Sequence, residues 1–545
     1  MAPAPSRTPE MDALEREIVD HVFVLAPGAG VSLGLHQYDG IVPDVSASAT
    51  DLWASQADRL LQRLVDLDAT ARLSADRKVD LSLLRLLLES PLFDLREART
   101  LDRNPMMYVG AFSLTPYLIR EYAPVADRVR AIVQVLESVP QVLDDGRRRL
   151  AGPLPRPFVE LSLAIGGGLP AHFGEAEAFA GRADLARTVH EARTTAEAAL
   201  ARFLGWLREE EVPRATGEFA LGPERYRRLL FVRESIETPL AEVQRAGAAD
   251  LARNQARLEE IARAEQVAVA ELFHRLALDH PSAAEVIPTA QAYVEEAREF
   301  VRAKDLVTIP EPILVHVEET PVWGRALSTA SMESPGPFDS GPEGVYYVTP
   351  VDPTWTPVQQ EEWLRSLNRT MLRNITVHEV FPGHYLQYLH WRSGPGSLAR
   401  KVYASASFVE GWAHYTEQLV IEAGLGLPGW HAEVAQIHDA LLRDCRLLAS
   451  VGLHTAGWTL EQATALFQRE AHYDRLPAER EAIRGTFNPE YFCYTLGKLA
   501  ILDLRARTLA SQFGGNLKRF HDTLLGFGSP PLGLLSALLA TAPAA

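Results

Sequence analysis

Cysteine is nearly absent: Cys445 and Cys493 are the only two in 545 residues, and their spacing suits neither a disulfide framework nor a cysteine-based zinc site. Long apolar runs are also lacking. The richest stretch, near Leu532 to Ala540, is too short to span a bilayer, so no membrane association is expected. Residues Met1 to Glu10 lack the apolar core of a signal peptide and read as a disordered leader, which makes a cytoplasmic location the default expectation. Basic charge is scarce relative to acid, with 54 Lys and Arg against 71 Asp and Glu and a net charge of -17. That balance argues against a nucleic-acid surface or a basic membrane patch. What is present is an ordinary globular composition, 47% hydrophobic and 23% charged, in a chain long enough to bury a large core.

Helical periodicity predominates. Asp51 to Leu67, Val79 to Leu95, Ala126 to Leu150, Ala186 to Glu211, Pro239 to Ala264 and Thr289 to Arg302 carry apolar residues at three- and four-residue intervals. Composition shifts over Thr308 to Pro357, rich in Pro, Gly, Thr and Val. There, Ile313 to Val317 and Gly344 to Thr349, the latter including Tyr347, read as strands, and Ser331 to Pro337 reads as a loop between them.

The most informative segment is His378-Glu379-Val380-Phe381-Pro382-Gly383-His384. It begins like the HExxH helix, in which two histidines four apart bind zinc and the Glu activates water, but its second histidine comes six residues after the first. In an unbroken helix that histidine would sit roughly 9 Å along the axis and about 120° around it, too far to share an ion. Pro382 cannot donate to the His378 carbonyl and Gly383 is conformationally free, so the pair marks a bulge able to return His384 to His378. The competing reading is an ordinary turn between two ordinary helix histidines.

Downstream, Glu410, His414 and Glu417 share one helix face among Val409, Trp412, Ala413 and Leu419. Carboxylates in such apolar company are costly unless a cation neutralises them. Glu410 thus suits a third ligand, an ion-paired helix being the alternative.

The heptad, Gln387 and Glu410-Gly411-Trp412-Ala413 resemble the bacterial domain-of-unknown-function family 885, a group of zinc metallopeptidases distantly similar to gluzincins. The blocks Arg446 to His454, Gly457-Trp458-Thr459, Tyr494 to Leu499 and Gly34-Leu35-His36-Gln37-Tyr38-Asp39-Gly40 extend the resemblance over nearly the whole chain. Two places depart from it: Ser450, where the family often has Asp, and Asn488-Pro489-Glu490-Tyr491 before the terminal Tyr494. Glu410-Gly411-Trp412-Ala413 also resembles the Glu-Gly-Phe-Ala segment of zinc aminopeptidases, which gives the ligand role to Glu410 and leaves Glu417 to orient a ligand histidine.

The resemblance implies one zinc ion, or another divalent metal such as cobalt or manganese, on His378, His384 and Glu410, with Glu379 as general base. Tyr494 and His454 are candidate donors to the developing oxyanion. Arg446, Lys498, Glu417, Gln387 and Tyr347 are expected to bind substrate or support the ligands. The expected fold is mainly α: a two-lobed, zincin-like metallopeptidase with a small sheet near an active-site cleft. Residues 1–305 are assigned to a helical N-terminal lobe and 306–545 to the catalytic lobe. The 344–349 strand is the candidate edge for pairing with extended substrate. The expected activity is hydrolysis of short peptides. A metal-dependent amidohydrolase of non-peptide substrates and a catalytically decayed helical binding protein are the alternatives, and the oligomeric state is not legible.

Overall fold

The computed structural model describes residues 9–542 apart from 151, 182–184, 326–327, 395 and 427, so the leader expected over Met1 to Glu10 lies almost wholly outside the described residues. The protein is mainly helical with one small three-stranded sheet. No helix among the described residues is long and apolar enough to cross a membrane.

The chain forms two compact units, one of residues 9–221 with 336–340, the other of 222–335 with 341–542. The sequence reading drew its line at 305/306; the division by contacts falls at 221/222. The first unit is all helix. Val125–Arg149, Arg156–Ala180 and Ala186–Trp206 close around a core that includes Ile132, Leu136, Phe173 and Phe203. In this unit the His36 ring stacks on Tyr122 with centroids 3.6 Å apart. Its Nδ1 meets Asp39 at 3.2 Å and its Nε2 meets Asp339 at 3.4 Å. Burial opposes a charge on this ring, but the two carboxylates raise its pKa to about 9.

The second unit holds the sheet, made of β1 (Leu314–Glu319), β2 (Ala330–Glu333) and β3 (Glu343–Val348) in the order β1-β3-β2. Two expectations are corrected here. The segment read as a loop from Ser331 contains β2, a short strand whose Ser and Glu content hid it. The strand proposed as the free edge, β3, is central: β1 pairs with it in parallel and β2 in antiparallel register, so its backbone groups are already used. The free edges belong to β1 and β2. Of these, β2 packs against the helix Arg369–Glu379.

Sheet and helices are tied by tyrosines. Tyr385 accepts the Leu314 N–H and donates to the Pro342 carbonyl, both at 2.9 Å, while the Tyr346 hydroxyl meets Thr376 Oγ1 at 3.3 Å. Both cysteines are buried and free.

Candidate metal centre

Two helices lead up to His378. Pro357–Ser366 ends, and Asn368 caps a new helix, Arg369–Glu379, by accepting the Met371 N–H at 2.9 Å. Such a cap contributes about 1 kcal/mol and fixes where the helix begins. The helix stops at Glu379, and the next, His384–Ser393, opens on the second histidine. Between them the backbone hydrogen bonds are stretched from the helical four-residue reach to six, Gly383 N–H to Val377 O at 3.0 Å and Leu386 N–H to Val380 O at 3.2 Å. The two extra residues of the heptad are taken up there. Gly383 passes so close to the preceding turn that a Cβ on it would run into the His378 carbonyl oxygen. Trp412 Nε1 anchors the loop by donating to the Pro382 carbonyl at 2.8 Å.

The result brings His384 back to His378: the ring centroids lie 4.7 Å apart at 83°. Glu410, on Ala406–Glu422, faces both, its Oε2 3.4 Å from His378 Nε2 and 3.5 Å from His384 Nε2. In a tetrahedral zinc site with bonds of about 2.0–2.1 Å, neighbouring donor atoms stand roughly 3.3–3.4 Å apart. The two Glu410–histidine separations fit that edge, and the donor set of two imidazoles and one carboxylate is one that zinc accepts. Among the described residues, His378, His384 and Glu410 are the group whose donor atoms converge closely enough to hold an ion. Glu410 keeps 27% side-chain exposure, so the point of convergence is open to solvent on one side.

Behind the ligands lies a buried network. His378 Nδ1–H donates to Glu417 Oε1 at 2.7 Å, which fixes the tautomer that leaves Nε2 free for a metal. Glu417, wholly buried, is paired with Arg443 at 3.0 Å and approached by His414 Nδ1 at 3.3 Å. Two turns apart on one helix face, Glu410 and Glu417 thus grip opposite nitrogens of one imidazole. Burial disfavours a charged His378, yet these two carboxylates lift its pKa to about 10; a bound cation would take that proton's place. Burial would also raise Glu410, but His378 and His384 hold its carboxyl well below the usual range.

Glu379 is half-buried, and among the described residues none hydrogen-bonds its carboxylate. Burial pushes its pKa up, against the pull of His384 and His378. Tyr494 is also half-buried, its ring faced by the guanidinium groups of Arg443 at 5.5 Å and Arg446 at 5.2 Å. Burial and then the charge of Glu410 raise its hydroxyl pKa, keeping it a donor at neutral pH. Its helix, Cys493–Phe513, crosses the Glu410 helix at Gly411 and Gly497, where a Cβ on either residue would strike the other helix's backbone.

Other expected site residues are engaged elsewhere. His454 meets the Gly485 carbonyl at 2.9 Å and lies eleven residues, about 16 Å of helix, beyond Arg443. Arg446 makes a bidentate pair with Glu481, both bonds 2.8 Å. Lys498 is buried against Asp250 at 2.5 Å. Gln387 Nε2 donates to Ser529 Oγ at 3.1 Å, and Tyr347 is buried in the central strand. Sequence reasoning missed Arg443, Asn374 and Asp439, which surround Glu417. The available signal was the charged run Arg443, Asp444 and Arg446 set between Leu442 and Leu447 in a helix apolar on either side of it. The two departures from the family pattern meet: Ser450 Oγ donates to the Pro489 carbonyl at 2.7 Å and pairs with the Tyr226 hydroxyl at 2.8 Å.

Fold and centre together define a mainly helical protein with a His/His/Glu cluster on adjoining helices. Residues 27–539 match the family described as bacterial protein of unknown function (DUF885), and the chain belongs to that family. No curated protein matches it. Two solved structures share the fold along almost their whole length. One is a candidate lipoprotein of unknown function from Shewanella oneidensis, 22% identical, with a TM-score of 0.77 over 97% of this chain and 99% of that one. The other is a candidate lipoprotein from Colwellia psychrerythraea, 17% identical, with a TM-score of 0.80 over 97% and 98%. These neighbours overturn the cytoplasmic expectation, which rested on the first residues and on the lack of a long apolar run: both are described as lipoproteins, a class held at membranes outside the cytoplasm.

Proposed function

We propose that the protein is a zinc-dependent hydrolase, and specifically a peptidase acting on short peptides. The observation that carries the reading is the convergence of His378, His384 and Glu410 beside a Glu379 carboxylate that has no protein partner among the described residues. Held by those three side chains, zinc would supply Lewis acidity, making a water more acidic and polarising a carbonyl. Glu379 is the group that takes the proton from the attacking water and returns it to the leaving amine; its raised pKa brings it closer to the range where both transfers are efficient. Glu417 and Arg443 hold the His378 ring in one orientation. Tyr494 is the candidate donor of a hydrogen bond to the oxygen that gains charge, a reading supported by the close crossing of its helix with the Glu410 helix at Gly411 and Gly497.

The test is a fluorogenic peptide library assayed with zinc and with chelator, alongside elemental analysis. Cleavage that disappears on chelation and returns with zinc supports the reading; bound zinc without cleavage of any peptide turns it towards non-peptide amides. Glu379→Gln should lower turnover by about a hundredfold or more while the zinc content stays unchanged. Turnover near wild type in that variant removes Glu379 as the base.

A further inference from the structure

Three arginines lie over the rings of Tyr491 or Tyr494, and their partners differ. Arg443 is neutralised by Glu417, and Arg446 by both oxygens of Glu481. Arg484, in the last turn of the helix Arg475–Phe487, is only partly buried, and its side chain makes no ion pair or hydrogen bond among the described residues. Its guanidinium lies over the Tyr491 ring, 5.3 Å from the centroid. That ring is itself fixed, because the Tyr491 hydroxyl donates to Glu481 Oε2 at 2.8 Å and Arg446 covers its face at 5.1 Å. Arg484 therefore stands on a rigid aromatic shelf with its planar donor edge uncommitted. Arg446 lies against the Tyr491 and Tyr494 rings alike, 5.1 and 5.2 Å from their centroids, so the shelf under Arg484 and the Tyr494 ring share one guanidinium between them.

We infer that Arg484, supported by the Tyr491 ring, is a binding site for a substrate carboxylate. The inference rests on the hydrolase reading and adds the substrate class: peptides that present a carboxylate near the scissile bond. A guanidinium pre-oriented by stacking pairs with carboxylate through two parallel hydrogen bonds, with little left to order on binding. The sequence suggested such a role for Arg446, but its donors are spent on Glu481, and the free fork is thirty-eight residues further on. A cation in the last helical turn also stabilises the helix dipole, so the experiment must read recognition rather than folding.

The carboxylate has two sources, the free end of a peptide or an acidic side chain. The zinc-loaded full chain is therefore offered one fluorogenic peptide in three forms: with a free carboxyl end, with that end amidated, and amidated with a Glu beside the scissile bond. The wild type should prefer one carboxylate-bearing form over the plain amide by at least about tenfold in kcat/KM, mostly through KM, and which form wins names the source. In Arg484→Gln the preference should collapse to less than about twofold, with Arg484→Lys recovering part of it. Equal use of all three forms by the wild type, or an equal loss on all three in Arg484→Gln, overturns the carboxylate site while leaving the hydrolase reading standing. Hydrolysis of none of them, in a chain that also fails the wider peptide library, removes the reading itself and this inference with it.

Discussion

Two histidine clusters in this protein use nearly the same ingredients to different ends. At His36 the two ring nitrogens are taken by separate carboxylates, Asp39 on one side and Asp339 on the other, and the ring is stacked flat on Tyr122. Every donor is answered individually. At His378 one nitrogen is answered by Glu417, while the other shares a common focus with His384 Nε2 and Glu410 Oε2. A histidine flanked by acids is thus not itself a sign of metal binding. What separates the two is whether several donors point at one place with support arriving from behind.

The comparison breaks most sharply at the loop that creates the convergence. Gly383→Ala puts a Cβ against the His378 carbonyl and must displace His384, so zinc content by elemental analysis should fall to a small fraction of the wild-type value. Wild-type zinc in that variant would mean the ion does not depend on His384. A smaller effect is expected one step back from the focus. Glu417→Gln leaves all three donors in place but weakens the hold on His378, so zinc affinity measured by chelator competition should drop about tenfold to a hundredfold. The same change unpairs the buried Arg443 from its carboxylate, and thermal stability should decline with it.

The smallest effect belongs to the other cluster. His36→Ala should leave zinc content untouched and show itself only in the pH dependence of unfolding. Because the folded pKa of His36 is raised from 6.5 to about 9, its contribution to stability is fully present below 6.5 and is lost as pH rises through 9. Urea unfolding of wild type and variant should therefore differ most at the acid end of that window and converge above it. A constant difference across the window would mean that the pairing of the charged ring is not what the variant removes.

Helices were legible in the sequence because their apolar spacing is strong, and the ends at Glu379 and His384 were legible because Pro382 and Gly383 punctuate them. The three donors were legible for the same reason: residue type, spacing and an apolar setting all restricted them. β2 was not, since its four residues, Ala330 to Glu333, have little of the β-branched content that marks a strand and join the sheet through pairing with β3. Nor could sequence tell Arg446 from Arg484 or give His454 its carbonyl, because partners such as Glu481 and Gly485 are supplied by another helix across the fold. Long-range pairing of surface-capable groups leaves no periodic trace.

The crossing at Gly411 and Gly497 carries a consequence for how this centre can change. Glu410 and Tyr494 sit one and three residues from a point where two helices touch backbone to backbone, so the gap between them is gauged by main chain and not by side-chain packing. Repacking nearby cores can alter stability yet leave that gap unmoved. Under the hydrolase function proposed above, variation in what the centre accepts would arise in side chains that project beyond the contact, while any residue larger than glycine at the crossing would reset the gauge for every substrate at once.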